Sequence, residues 1–218
     1  MNRTGKLDSG PGQAGAVILA GGRGSRLGGA DKPGLVVGER SLLATVVEAA
    51  GAAGARQVIV VGPARPGIEF AAGELRVVRE DPPGGGPVPA LRRGLAEVSA
   101  PWLFLLAADL PFLREGHLGS LRATAQAAGR GAALSDETGQ PQWLLGCWPV
   151  AELREAIGGY RGGSLRGLLG PLDPVLLAAA PDRPGPPAWL DCDTPEDVRM
   201  ARAWSSVPPG RGEAEVRQ

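Results

Sequence analysis

Histidine and cysteine are scarce in this chain. His117 is its single histidine, which closes off a histidine-based catalytic triad and a histidine-rich metal site. Its sequence context predicts a surface helix start. Cys147 and Cys192 are the two cysteines; they lie far apart and match no metal-ligand spacing. They read as small buried residues of a reducing compartment. No apolar run reaches the roughly 18 residues of a membrane-spanning helix, and the N-terminal stretch lacks the apolar core of a signal peptide. These absences predict a cytoplasmic protein without membrane contact. The formal net charge is zero, so no bulk attraction draws nucleic acid to it. The Walker spacing GxxxxGK[ST] is absent, as is GxGxxG followed by an acid on a second strand. No internal repeat is evident.

Glycine and proline are abundant, at 35 and 21 of 218 residues. Such levels accompany low complexity, but here they punctuate clear apolar segments. The length suits one domain with a substantial core. Residues 1–14 and 206–218 are polar and aperiodic, and read as disordered tails around a domain over 15–205.

Strand and helix patterns alternate between those tails. Ala16–Ala20 reads as a strand. Ser41 caps a helix with Leu42, Leu43, Val46, Val47 and Ala50 on its apolar face and Gly54 past its end. Strands follow at Gln57–Val61 and Leu75–Arg79, a helix over Pro87–Val98, a strand at Trp102–Ala107 and a helix from Arg114 to Ala128. This alternation predicts an α/β fold with a mainly parallel sheet covered by helices on both faces. Ala132–Ser135 and Gln142–Trp148 flank a turn at Asp136–Gly139, predicting an antiparallel pair inserted beside or onto the sheet edge. A helix at Val150–Ile157, a glycine-broken segment through Ser164, strands at Pro174–Ala179 and Ala188–Leu190, and a helix at Pro195–Ser205 capped by Thr194 complete the reading.

Ligands of open α/β sheets bind beyond the carboxyl ends of the strands, and several polar motifs fall there. The first strand runs into Gly21-Gly22-Arg23-Gly24-Ser25-Arg26-Leu27-Gly28-Gly29-Ala30-Asp31-Lys32-Pro33. Its glycines open the backbone N–H groups to a ligand, and Arg23, Arg26 and Lys32 supply charge suited to a triphosphate. A glycine-rich surface turn with solvated arginines is the plainer alternative. Asp109 directly follows a seven-residue apolar run. A buried carboxylate there is costly unless partnered, and a divalent cation is one partner; a helix cap or turn acid before Pro111 is the other reading. Asp81 precedes a proline-glycine segment, as a ligand or as a loop acid in equal measure. In Asp191-Cys192-Asp193-Thr194-Pro195-Glu196-Asp197, capping accounts for Thr194 to Asp197 but requires neither Asp191 nor Asp193. Arg161 and Arg166 read by default as a solvated face.

The segment LAGGRGSRLGGADKP resembles the signature loop of the molybdenum cofactor guanylyltransferases, within the wider nucleotidyltransferases that include molybdopterin cytidylyltransferases and sugar-nucleotide pyrophosphorylases. The motifs EDPPGGGPVPAL, LLAADLPFL, GQPQWLLGCWP, GGSLRGLL and DCDTPEDV follow in the family's order. The resemblance spans about residues 14–204. It implies a three-layer α/β/α, Rossmann-like nucleotidyltransferase domain of the GT-A-like kind. It implies Mg²⁺-dependent transfer of GMP from GTP to molybdopterin carrying molybdenum, with release of pyrophosphate and transient contact with cofactor-biosynthesis proteins. By that resemblance Leu19, Ala20, Gly21 and Gly22 contact base and ribose through their backbone, and Lys32 binds phosphate. Asp81 lies near the guanine nucleotide, Asp109 is the magnesium ligand, and Asp193 stands near the metal. Arg23, Arg26 and Lys32 would hold the triphosphate and the leaving group. The acceptor would lie over Gln142, Trp143, Arg161 and Ser164. The chain departs from the family at Val61-Gly62, where a guanylyltransferase can carry a nucleotide-binding Asn, and at Ala90, in place of a glycine.

Two other readings stand beside this one. CTP could replace GTP, or a sugar phosphate the pterin; Gly21-Gly22 is closer to the guanylyl form. A nucleotide-binding regulator that has lost catalysis is the non-enzymatic alternative.

Overall fold

The computed structural model describes residues 13–21, 31–178 and 186–206. Its strands and helices are β1 (Ala14–Leu19), β2 (Val36–Val37), β3 (Arg40–Ser41), α1 (Leu42–Ala52), β4 (Ala55–Val61), β5 (Glu74–Val78), α2 (Pro87–Leu95) and β6 (Trp102–Ala107). There follow α3 (Glu115–Ala128), β7 (Ala132–Ser135), β8 (Pro141–Pro149), α4 (Val150–Gly159), α5 (Leu165–Leu169), β9 (Val175–Ala178) and α6 (Pro195–Ser205). Short 3₁₀ turns cover Lys32–Gly34 and Gly170–Leu172. β1 opens at Ala14, the last residue assigned to the N-terminal tail. Residues 1–12 and 207–218, the rest of both expected tails, lie outside the described residues.

The described strands form a seven-stranded sheet, ordered β5-β4-β1-β6-β8-β7-β9. β5, β4, β1 and β6 run parallel, as the alternating pattern predicts. Period-2 burial along them sorts residues into two cores. Ala16, Ile18, Val58, Val60, Phe104 and Leu106 face α1 and α3. Val17, Ile59, Val61, Leu103 and Leu105 face α2, α4 and α5. Both sheet faces are therefore covered, giving the three layers.

The antiparallel pair departs from expectation. It does not simply fringe the sheet: β8 pairs with β6 on one side and β7 on the other, antiparallel to both, and β9 extends the sheet parallel to β7. Gly146 permits this position, because a Cβ there would meet the carbonyl of Ala132 at 2.8 Å and the indole of Trp148 at 2.6 Å. The second strand of the pair carries the buried residues Leu145, Cys147 and Trp148, so burial favours placing it inside the sheet.

Other boundaries shift for local reasons. α2 stops at Leu95 rather than Val98 because the chain tightens: Glu97 and Val98 donate three residues back, to Gly94 and Leu95. Arg154 caps this end by donating to the carbonyls of Leu95 and Val98. Ala188–Leu190 is a turn, not a strand; Leu190 N–H closes onto the carbonyl of Pro187 at 3.1 Å. The preceding prolines have no N–H for a ladder. The β2–β3 ribbon and α5 were not anticipated, being too short for their periodicity to register.

α6 packs through Val198 and Ala201 onto Val37, Leu42 and Cys192. Thr194 caps its start, as expected, and the structure adds the reciprocal arm of a capping box: Thr194 accepts from Asp197 N–H at 3.2 Å while Asp197 accepts from Thr194 N–H at 2.7 Å. Thr194→Ala removes the hydroxyl, which accepts from Asp197 N–H and donates to the Asp197 carboxylate at 2.8 Å, and leaves the backbone arm of the box in place. It is expected to destabilise the protein by about 1 kcal/mol, read as a lower urea midpoint with an unchanged slope; an unchanged midpoint would refute a stabilising cap.

Candidate active site

The carboxyl ends of β1, β4, β5 and β6 lie along one edge of the sheet. β1 ends at Leu19. Ala20 continues it, buried, with its N–H on the carbonyl of Val61 at 2.8 Å, and Gly21 is exposed. Gly22, Arg23 and Arg26 lie outside the described residues. The chain is described again from Asp31, which precedes the 3₁₀ turn at Lys32-Pro33-Gly34. Pro33 restricts the backbone there.

Lys32 reaches across to two acids distant in sequence. Its ammonium is paired with the carboxylates of Asp109 and Asp193. Burial opposes its charge, but the hydrogen bonds it donates to Asp109 and Asp193, with their negative charges, outweigh it and raise the pKa above the ordinary lysine value. Lys32 is therefore firmly cationic at neutral pH. A lysine expected to hold phosphate is held here by the two expected metal-site acids.

Asp109 sits just past β6, its side chain 18% exposed. One oxygen meets Lys32; the other, Oδ1, is buried without a hydrogen-bond partner. Asp191 and Asp193 come to it from the turn before α6. Cys192 between them enters the core beneath α6. One carboxylate oxygen from each of Asp109, Asp191 and Asp193 lies within 4.8 Å of the others. Asp191 retains solvent access, yet burial of its carboxyl, and then the charges of Asp193 and Asp109, push its pKa upward. Three converging carboxylates, one of which also carries a buried oxygen without a hydrogen-bond partner, fit a divalent cation. Sequence reasoning named Asp109 and Asp193; it placed Asp191 beside them but gave it no ligand role, since spacing alone does not reveal that both acids around Cys192 face the same strand tip.

Both cysteines are buried. Burial pushes Cys147 up to about 12 and Cys192 up to about 11, so both remain protonated thiols, in keeping with packing roles.

Asp81 is exposed beyond β5, whereas its neighbour Glu80 is buried and accepts from Gly84 N–H at 3.0 Å. Glu80 lies 3.8 Å from where a Cβ on Gly21 would stand. Its proximity to the β1 end was not read from the sequence, where it is one acid of an adjacent pair. Gly62 explains the departure after β4: a Cβ there would lie 2.7 Å from the carbonyl oxygen of Ala20. A side chain is excluded because β1 and β4 meet too closely.

On the other side of Asp109 opens a cleft of about 590 Å³, lined among others by Gln142, Trp143, Ser164, Trp189 and Asp191. Gln142 donates to Asp136 at 3.0 Å from the strand β8. Ser164 caps α5, accepting from Gly167 N–H at 3.1 Å. Arg161 is not part of the lining; Arg166 is. The glycine-broken segment that defeats helical periodicity brings Arg166, rather than Arg161, to the cleft by starting α5 at Leu165. His117 lies away from this set at the start of α3, its Nδ1 accepting from Arg114 N–H at 3.1 Å, as its surface-helix context predicted.

The arrangement places a cation, three acids and a partly aromatic cleft at the strand ends. Residues 16–175 match the family described as MobA-like NTP transferase domain. The chain belongs to that family. It is accordingly a nucleotidyltransferase. A molybdenum cofactor guanylyltransferase of Cereibacter sphaeroides is 32% identical over 194 residues, covering 86% of this chain and 94% of that protein. One from Bradyrhizobium sp. (strain ORS 278) is 36% identical over 145 residues, covering 64% of this chain and 67% of its own. The structure of molybdopterin-guanine dinucleotide biosynthesis protein A from Archaeoglobus fulgidus superposes with a TM-score of 0.62 over 86% of this chain and 96% of that one, at 20% identity, a likeness of fold. Among the described residues no helix is long and apolar enough to cross a membrane.

Proposed function

We propose that this nucleotidyltransferase transfers GMP from GTP to molybdopterin carrying molybdenum, releasing pyrophosphate. The observation that carries the reading is the position of Asp109: it joins the Lys32–Asp193 cluster and also lines the cleft holding Trp143 and Trp189. A nucleotide over the β1 end and an acceptor in the cleft would therefore meet at this acid. The names of these relatives support the guanylyl and molybdenum-cofactor assignments.

In this reading an oxygen of the acceptor phosphate attacks the α-phosphorus of GTP, the bond to the β-phosphate oxygen breaks, and pyrophosphate departs with the electron pair. Such transfers depend on positioning and charge neutralisation rather than a strong protein base. A phosphate monoester is already anionic near neutral pH, so the scarcity of histidine is no obstacle. Leu19, Ala20, Gly21 and Gly22 offer backbone to base and ribose. Lys32 carries its charge to a phosphate oxygen, assisted by Arg23 and Arg26. Asp109 and Asp193, with Asp191, would hold Mg²⁺, which supplies Lewis-acid neutralisation of phosphate charge. Asp81 borders the nucleotide. Gln142, Trp143 and Ser164 contribute the acceptor side, with Arg161 at its periphery.

Pyrophosphate release from GTP and from CTP, each with Mg²⁺ and purified molybdenum cofactor, tests the reading. Turnover with GTP above that with CTP is expected. Faster turnover with CTP would retain the site but refute the guanylyl assignment, and release with neither would refute the proposed reaction.

A further inference from the structure

Arg65 was singled out by no motif. It sits in the Gly62-Pro63-Ala64-Arg65 loop after β4, yet its side chain is only 9% exposed. Its guanidinium makes contacts with three separate pieces of chain. Nε donates to both carboxylate oxygens of Asp31 at 2.9 Å, and Nη2 donates to Asp31 Oδ1 at 2.7 Å. Nη2 also donates to the carbonyl of Ala20 at 3.1 Å, and Nη1 to that of Pro63 at 3.1 Å. The same planar group therefore grips Ala20, the residue just past β1, and Asp31, the residue immediately before Lys32.

Two glycines shape this junction. Gly62 lets Ala20 approach, since a Cβ would meet its carbonyl oxygen at 2.7 Å. Gly34 makes room for the Asp31 carboxylate, which a Cβ would meet at 2.5 Å. Asp31 is thus seated between the guanidinium and a glycine, while its backbone carbonyl accepts from Gly34 N–H at 3.0 Å. The adjoining Lys32 points to the other side, toward Asp109 and Asp193.

We propose that Arg65 is a positioning residue that fixes Lys32 in the carboxylate cluster by clamping Asp31 to the end of β1. Its bidentate grip also neutralises an acid that would otherwise stand one residue from the phosphate-binding lysine. A lysine at 65 cannot reproduce the grip, because an ammonium lacks the planar fork. The consequence for catalysis rests on the nucleotidyl-transfer reading; the placement of Lys32 does not.

The test uses the full chain and two measurements. The sequence contains only two lysines, Lys6 and Lys32, so the acetylation rate of Lys32 under trace labelling can be followed by peptide mass spectrometry. Pyrophosphate release with GTP–Mg²⁺ and the molybdenum cofactor gives KM and kcat. In Arg65→Ala, Lys32 should acetylate faster than in the parent, and kcat/KM for GTP should fall about 10- to 100-fold. Arg65→Lys should restore neither, and combining Arg65→Ala with Asp31→Asn should add little to the worse single variant. Melting curves confirm folding. If Arg65→Ala does not fold, Asp31→Asn, changed at a 57% exposed side chain, carries the same expectations. Parent-like acetylation in a folded variant overturns the positioning role, as does parent-like kcat/KM in a variant of an active parent. A parent inactive with every nucleotide, but with faster Lys32 acetylation in the variant, keeps the clamp and overturns the proposed reaction instead.

Discussion

Asp109→Asn is expected to slow pyrophosphate release about 10²–10³-fold, the usual cost of losing a charge-stabilising group at a reacting centre. The amide retains the shape of the carboxylate and should leave the two cores untouched. What it loses is charge at the meeting point of the cluster and the cleft. In the parent, one Asp109 oxygen is paired with Lys32 and the other is buried without a hydrogen-bond partner. An amide oxygen is a weaker cation ligand, and its NH₂ would oppose either Lys32 or a bound cation. The measurement is GTP turnover across a Mg²⁺ titration, with a melting curve to establish that the variant is folded. Near-parent release over the whole titration would remove Asp109 as the principal ligand.

Lys32→Ala should have a comparable effect, divided differently. It is expected to raise KM for GTP and lower kcat together, by about 10²-fold in kcat/KM. Lys32 is the described cation that binds both Asp109 and Asp193. Its removal leaves those carboxylates, with Asp191, facing one another and takes a positive charge from the triphosphate. If the lysine merely balanced the acids, the variant would still turn over once Mg²⁺ neutralised them. Parent-like kcat and KM at high Mg²⁺ would therefore refute its role on the nucleotide. Arg26→Ala, by contrast, should act mainly on kcat, through the departing pyrophosphate.

These expectations draw unequally on sequence and fold. Alternating apolar segments were enough to predict a mainly parallel sheet with helices on both sides, because burial on two faces demands continuous apolar strands. The side-chain alternation of Ala16, Val17 and Ile18 into opposite cores follows from strand geometry alone. Local chemistry likewise dictated the capping box of α6, whose partners are three residues apart. The acid after β6 was legible for a similar reason: an apolar run ending in Asp leaves a carboxylate at a strand tip.

Tertiary structure decided what depends on distant partners. No local rule seats β8 between β6 and β7; its buried face and the missing side chain of Gly146 do so only once Trp148 and Ala132 are in place. Asp191 joins Asp109 because Cys192 is drawn into the core under α6. Arg65 shows the limit most clearly. Its loop is rich in glycine and proline, and nothing nearby gives the guanidinium a partner beyond the carbonyl of Pro63. Its other partners, Ala20 and Asp31, are brought within reach by the parallel pairing of β1 with β4. Sequence determined which segments would be buried and which acids would stand at their ends; long-range packing determined which charges would meet, because opposite charges separated along the chain come within hydrogen-bond distance only after the strands between them are paired.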